Sequence, residues 1–257
     1  MSDTEMLSYE VRDRVAVLTM HRGPVNAVNF AFIEAIHAAW RRADNDKDVR
    51  AIVLTSAFDK AFSAGMDLDM IAGKGGAGLR AFLEKFYMET LDIQYRLTKP
   101  TIAAVNGRAR GAGVTLSITQ DIIVANEDTD FGYPEIYLGL IPAIHFVHLP
   151  RQVGRHQAFE YLFTGDPIPA RKAEAMGLIN YAVPKDQVLP KAMAIAQRLA
   201  SKAPDAVRIG RQSYMRANDL DYRRNIENQV ETMCNVMETA AAQEGLAAFL
   251  EKRKPRW

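Results

Sequence analysis

Backbone amides and one carboxylate converge in residues 99–142, KPTIAAVNGRARGAGVTLSITQDIIVANEDTDFGYPEIYLGLIP. An apolar run, Thr101–Val105, enters a turn at Asn106-Gly107. A short basic link then leads to Gly111-Ala112-Gly113, which opens a helix-like run to Thr119. Strand, glycine-rich turn and helix N-terminus together present free N–H groups to whatever lies before them. A second apolar run, residues 122–125, precedes a rigid Tyr133-Pro134-Glu135 turn. Donors plus one carboxylate suit stabilising a developing oxyanion while a proton moves. An isolated glutamate is by default a surface residue. Glu135 instead sits among Phe131, Tyr133 and Ile136, which predicts a raised pKa and a role in proton transfer.

Other chemistries lack their residues. The glycines at 107, 111 and 113 miss the G-x-G-x-x-G spacing, so no dinucleotide fingerprint is present. Residues 73–78 hold four glycines and Lys74, but no Gly-Lys-Ser/Thr ends them and no strand feeds them; a mobile loop is expected. No G-x-S-x-G occurs, which argues against a hydrolase nucleophile elbow. His145 and His148 lie three apart in an apolar run without H-E-x-x-H or a third ligand, so packing is expected rather than a metal site.

The flanking elements follow from periodicity. Leu7, Tyr9 and Val11 alternate with polar residues, Val15–Met20 is nearly all apolar, and the two read as strands joined at Asp13. Asn29 is placed to cap a helix whose Ile33, Ile36, Trp40 and Ala43 share a face. Residues 51–55 read as a buried strand. Leu79, Phe82, Phe86, Thr90, Ile93 and Leu97 mark a long helix that ends before Pro100. Residues 158–163 and 170–176 read as helices, 179–183 as a last strand, and the pattern stays helical from Pro204 to Lys252. Alternating strands and helices followed by helices alone predict an α/β fold with a helical C-terminal appendage; the strand-strand-helix sense hints at a repeating unit.

The 257 residues allow one large domain or slightly more at a prior of about 150 residues per domain. A content of 48% apolar and 25% charged residues is ordinary for a globular chain. A net charge of +1 and the lack of a basic, aromatic-interleaved surface argue against nucleic acid or an anionic membrane as partner. Cys234 is alone. No apolar run is long enough to span a membrane, and the polar N-terminus lacks a secretory core. A soluble, cytoplasmic protein is expected.

Several segments together resemble the enoyl-CoA hydratase/isomerase (crotonase) superfamily. Ala64-Gly65-Met66-Asp67 resembles its A-G-x-D loop, and Lys99 to Gly107 its K-P-x-I-A-A-[VI]-x-G strand. Asp121 to Ala125 resembles D-I-x-x-A, and Phe131 to Ile136 the F-x-x-P-E segment. Arg22-Gly23-Pro24 with Asn26-Ala27 resembles the N-terminal R-P…N-A element, one or two residues short, and Phe249 to Pro255 matches the closing segment. The resemblance spans almost the whole chain. It implies a crotonase-like spiral of ββα turns over residues 1–200 and a C-terminal helical region, 201–257, that mediates homotrimers or homohexamers. It implies an acyl-CoA substrate, with no cofactor beyond the coenzyme A of the thioester and no metal. By position, the N–H groups of Met66 and Ala112 would form an oxyanion hole, each donor contributing roughly 3 kcal/mol to the barrier. Lys60, Ala64, Met66 and Asp67 would border coenzyme A, and basic residues of the tail would meet its phosphates.

The departures bear on mechanism. Typical hydratases carry a second glutamate where this chain has Thr115, which holds a water or a substrate group but is no base at neutral pH. Ala112 replaces a middle glycine, and residues 143–148 replace a glycine-rich turn, which would reshape the pocket near Glu135 and bring His145 toward it. Hydration usually divides its work between two carboxylates, whereas moving a double bond from C3–C4 to C2–C3 needs one base. Glu135 is therefore expected as the single acid/base, with isomerase-like chemistry preferred. The alternatives are hydration with water held by Thr115 or His145, or a non-catalytic CoA-binding scaffold.

Overall fold

The computed structural model describes residues 6–219 and 221–256; the rest of the polar N-terminus and the terminal Trp257 lie outside them. Strands β1 (Leu7–Arg12) and β2 (Val15–Met20) form an antiparallel hairpin. The hairpin turns at Asp13 and Arg14, both with positive φ (49° and 65°), the backbone hand that two-residue hairpin turns require. Helix α1 (Phe30–Asn45) starts where expected: the Asn29 side chain accepts from Phe32 N at 2.9 Å, and Ile33, Ile36, Trp40 and Ala43 are all buried.

Strand β3 (Ala51–Ser56) leads to β4 (Ala61–Ser63), β5 (Thr101–Val105) to β6 (Arg108–Arg110), and β7 (Ile122–Asn126) to β8 (Asp130–Gly132). In each pair the first strand joins a large sheet and the second a small one. The large sheet runs β1-β2-β3-β5-β7-β10 and the small one β4-β6-β8-β9, with β9 at Ile168–Pro169 and β10 at Tyr181–Val183. From β2 to β10 the large sheet is parallel. Strands β2, β3, β5 and β7 are buried on both faces almost throughout, so they read as continuous apolar runs rather than alternating ones. Repetition of strand, strand and connecting helix is the spiral of ββα turns.

Residues 73–78 overturn the expectation of a mobile loop. Gly75 begins helix α2 (Gly75–Leu83), and Gly76 N donates to the Glu238 carboxylate. A Cβ at Gly76 would stand 2.7 Å from Cys234 O, so glycine here allows close packing of two helices. The helix continues through a π-helical turn, Glu84–Glu89, into α3 (Thr90–Arg96). The wider turn buries the consecutive residues Phe86 and Tyr87.

The remaining helices are α4 (Ala112–Ile118), α5 (His145–Val153), α6 (Arg155–Thr164), α7 (Ala170–Ala175), α8 (Val188–Ala200), α9 (Pro204–Ala217), α10 (Tyr222–Met237) and α11 (Ala240–Leu250). Val188, Ala192 and Ile195 of α8 cover one face of the large sheet. Ile226, Val230, Met233, Ala242 and Leu246 of α10 and α11 join the main core on the other. No helix among the described residues is long and apolar enough to cross a membrane.

Helix α9 is anchored by one buried cation. Arg211 donates to both Asp121 oxygens (2.8 and 3.1 Å), to Gln94 O (3.0 Å) and to Leu97 O. Asp121 also accepts from Thr101 N at 2.8 Å, at the start of β5. Arg211→Ala leaves that half-buried carboxylate without its counter-charge, and a loss of about 1–3 kcal/mol is expected. Urea unfolding with a midpoint equal to wild type would show that the pair does not anchor α9.

Candidate active site

The site forms where the loop after β4 meets the start of α4. Gly65 has φ +91°, and a Cβ on it would lie 2.6 Å from Arg110 O and 3.6 Å from Ala112 N. Only glycine permits that approach. Val28 pins the loop, its N donating to Gly65 O (2.7 Å) and its O accepting from Asp67 N (3.0 Å). The intervening Met66 N–H points away from this bridge. Gly111, with φ +47°, turns β6 into α4, so that Ala112 N is the first amide of the helix. Among the described residues neither Met66 N–H nor Ala112 N–H has a hydrogen-bond partner.

Glu135 reaches the same place from a short 3-10 turn, Pro134–Leu138, which Gly139 ends in the left-handed region (φ 68°). The point where a Gly111 Cβ would stand is 2.6 Å from Glu135 Oε1. Glu135 Oε2 is enclosed and has no hydrogen-bond partner. The surface Glu135 retains faces a cavity of about 530 Å³ that it shares with Ala64, Met66, Asp67 and Ala112. Burial pushes the carboxyl up to about 7, opposed by a hydrogen bond from its own backbone N–H. A base poised near neutrality beside two unused donors is equipped to take a proton next to a carbonyl and stabilise the enolate.

Of the residues singled out in the sequence, the fold thus brings Ala64, Met66, Asp67, Ala112 and Glu135 to one cavity. Asp67 is paired with Arg22 at 2.8 Å. Lys60 is exposed and off the cavity wall. Thr115 is buried, its Oγ1 without a completed hydrogen bond, and it is also off the wall. In the basic tail, Arg253 is held by Glu244 and Glu251, so part of its charge is already neutralised.

Tyr87 lines the cavity and sequence reading missed it. Its ring packs edge-on against Phe86 at 4.9 Å between centroids. Burial raises the phenol above its ordinary value, the Glu135 charge raises it further, and the Thr115 hydroxyl works against both. The phenol is a neutral O–H at physiological pH.

His145 and His148 form a hydrogen-bonded chain with Tyr222. His145 Nδ1 meets His148 Nε2 at 3.2 Å, and His148 Nδ1 meets the Tyr222 hydroxyl at 3.1 Å. Burial holds His145 well below its usual range and His148 at about 3, so both are neutral. The His145 ring lies 4.5 Å from that of Tyr133, and no hydrogen bond joins it to Glu135 among the described residues.

The chain is similar to known proteins along nearly its whole length. The enoyl-CoA hydratase/isomerase family model matches residues 10–257. A probable mitochondrial enoyl-CoA hydratase of Dictyostelium discoideum is 33% identical over 96% of this chain and 89% of that protein. A short-chain-enoyl-CoA hydratase of Clostridium acetobutylicum is 32% identical over 95% and 94%. The crystal structure of carnitinyl-CoA hydratase from Mycobacterium avium superposes with a TM-score of 0.85 at 34% identity, covering 98% of each chain.

Proposed function

The chain belongs to the enoyl-CoA hydratase/isomerase family, and from that premise we propose that it moves a proton at C2 of an enoyl-CoA thioester. Glu135 is the acid/base. The N–H groups of Met66 and Ala112 hold the thioester oxygen as negative charge develops on it. The observation that carries this reading is the meeting of two unpartnered amides and a carboxylate near 7 on one cavity.

Double-bond migration fits the carboxylates best. Asp67 is occupied by Arg22 and Asp69 is exposed at the rim, so among the described residues Glu135 is the one half-buried carboxylate on the wall without a cation. It would take the C2 proton and return it at C4. Ala64 and Asp67 would border the entering coenzyme A, with Lys60 outside. Hydration is the second reading, favoured by the hydratase names of the relatives. The test is a 3-enoyl-CoA and a trans-2-enoyl-CoA, each incubated with enzyme in H₂¹⁸O. Conversion of the first to the conjugated isomer without ¹⁸O is the expected result. Hydroxylated, ¹⁸O-bearing product from the trans-2-enoyl-CoA with the 3-enoyl-CoA left unchanged would establish hydration instead, and no turnover of either would overturn both readings.

A further inference from the structure

The π-helical turn is an uncommon backbone choice, since α-helices widen this way mostly at functional positions. Here it carries the Tyr87 side chain to the cavity wall on which Glu135, Met66 and Ala112 also lie. The ring has little freedom. Phe86 meets it edge-on, and His145 lies 6.4 Å away, nearly perpendicular. Tyr87 is 4% exposed and Thr115 is 1% exposed. Thr115 Oγ1, beside the phenol, completes no hydrogen bond among the described residues. An enclosed hydroxyl without a partner is costly unless a ligand supplies one. Among the described residues no hydrogen bond joins Tyr87 to Glu135, although the Glu135 charge acts on the phenol.

We propose that Tyr87, backed by Thr115, is a subsite for a neutral hydroxyl oxygen opposite Glu135. The oxygen belongs either to the acyl chain or to a water. An anionic group is disfavoured: Glu135 and Asp69 line the same cavity, Asp67 there is already paired with Arg22, and the lining cation, Arg110, is paired with Asp130. A phenol O–H donates to such an oxygen, and a threonine hydroxyl both donates and accepts. With water in the subsite the step balances on one carboxylate. The water oxygen bonds to C3 and its proton passes to Glu135. The C2–C3 π electrons move toward the thioester oxygen, and Glu135 then delivers that proton to C2. The inference rests on Glu135 as the base and adds the group that holds the oxygen.

Two ratios test it in wild type, Tyr87→Phe and Thr115→Val. The first is ¹⁸O incorporation into crotonyl-CoA relative to C2 deuterium exchange of butyryl-CoA. The second is C2 exchange of 3-hydroxybutyryl-CoA relative to butyryl-CoA in D₂O. Tyr87→Phe is expected to lower one of them by about tenfold or more, and Thr115→Val to lower the same one by less. A fall in the first assigns the oxygen to water. A fall in the second, with no ¹⁸O entering wild-type product, assigns it to the substrate hydroxyl. If both ratios stay within about twofold of wild type in either variant that retains its fold, the subsite is wrong and the phenol only packs. Glu135→Gln separates the premises: if that variant keeps C2 exchange, the base assignment fails whatever Tyr87 does.

Discussion

Glu135→Gln is expected to lower kcat by about 10²–10⁴-fold, the contribution typical of a positioned acid/base. Glutamine keeps the size and polarity of the protonated acid but cannot accept and return a proton. The pH profile adds a second reading. Because burial raises the carboxyl to about 7, the ionised base is depleted as pH falls through that value. Wild-type kcat/KM is therefore expected to decline below about 7, well above the ordinary carboxylate value of 4.5. Stability carries the opposite sign. A carboxyl whose folded value exceeds its unfolded one binds protons more tightly in the native state, so native stability falls as pH rises from 4.5 through 7. Glu135→Gln should thus melt higher than wild type at pH values above about 7, with a gap on the order of 3 kcal/mol that closes toward acid. His37, held at about 4, and His148, at about 3, oppose this: burial disfavours their charged forms, so they remove stability as pH falls from 6.5. They act equally in both proteins, so the variant-minus-wild-type difference isolates Glu135. A variant with normal turnover on every accepted acyl-CoA would remove Glu135 from the mechanism.

Ala112→Pro is expected to lower kcat by about 10²–10³-fold while leaving the fold in place. Ala112 is the first residue of α4, where proline is favoured because its missing N–H has no partner within the helix. The preceding residue is Gly111 at φ 47° and ψ −114°, a conformation that carries no Cβ to clash with the proline ring. The substitution therefore removes one donor and sets the ring Cδ where its hydrogen pointed, and both changes act against the oxyanion. Circular dichroism melting near the wild-type temperature with a collapsed kcat is the expected pair of results. Turnover within about threefold of wild type would show that Ala112 N–H does not hold the oxyanion, leaving Met66 N–H or another group to do so.

Local signals in the chain were sufficient for much of this architecture. Asn29 caps α1 because its side chain reaches only three residues ahead, to Phe32 N. Buried parallel strands read as apolar runs, so β2, β5 and β7 were legible from composition within a few residues. Gly111 and Pro134-Glu135 stood out because positive φ and a rigid turn need those residue types. Tertiary packing decided the rest. The π-helical turn that delivers Tyr87 has no sequence period of its own, and a residue beside the apolar stripe of a regular helix gives no sign of lining a cavity. Gly75 and Gly76 read as a loop until α10 is seen packed on them, with Glu238 closing the first turn of α2 from far along the chain. Thr115 matched a catalytic position, yet the packing of α4 leaves it behind the wall rather than on it. The carboxyl of Glu135 shifts because distant segments exclude water from it, and no local pattern records how completely that exclusion is achieved.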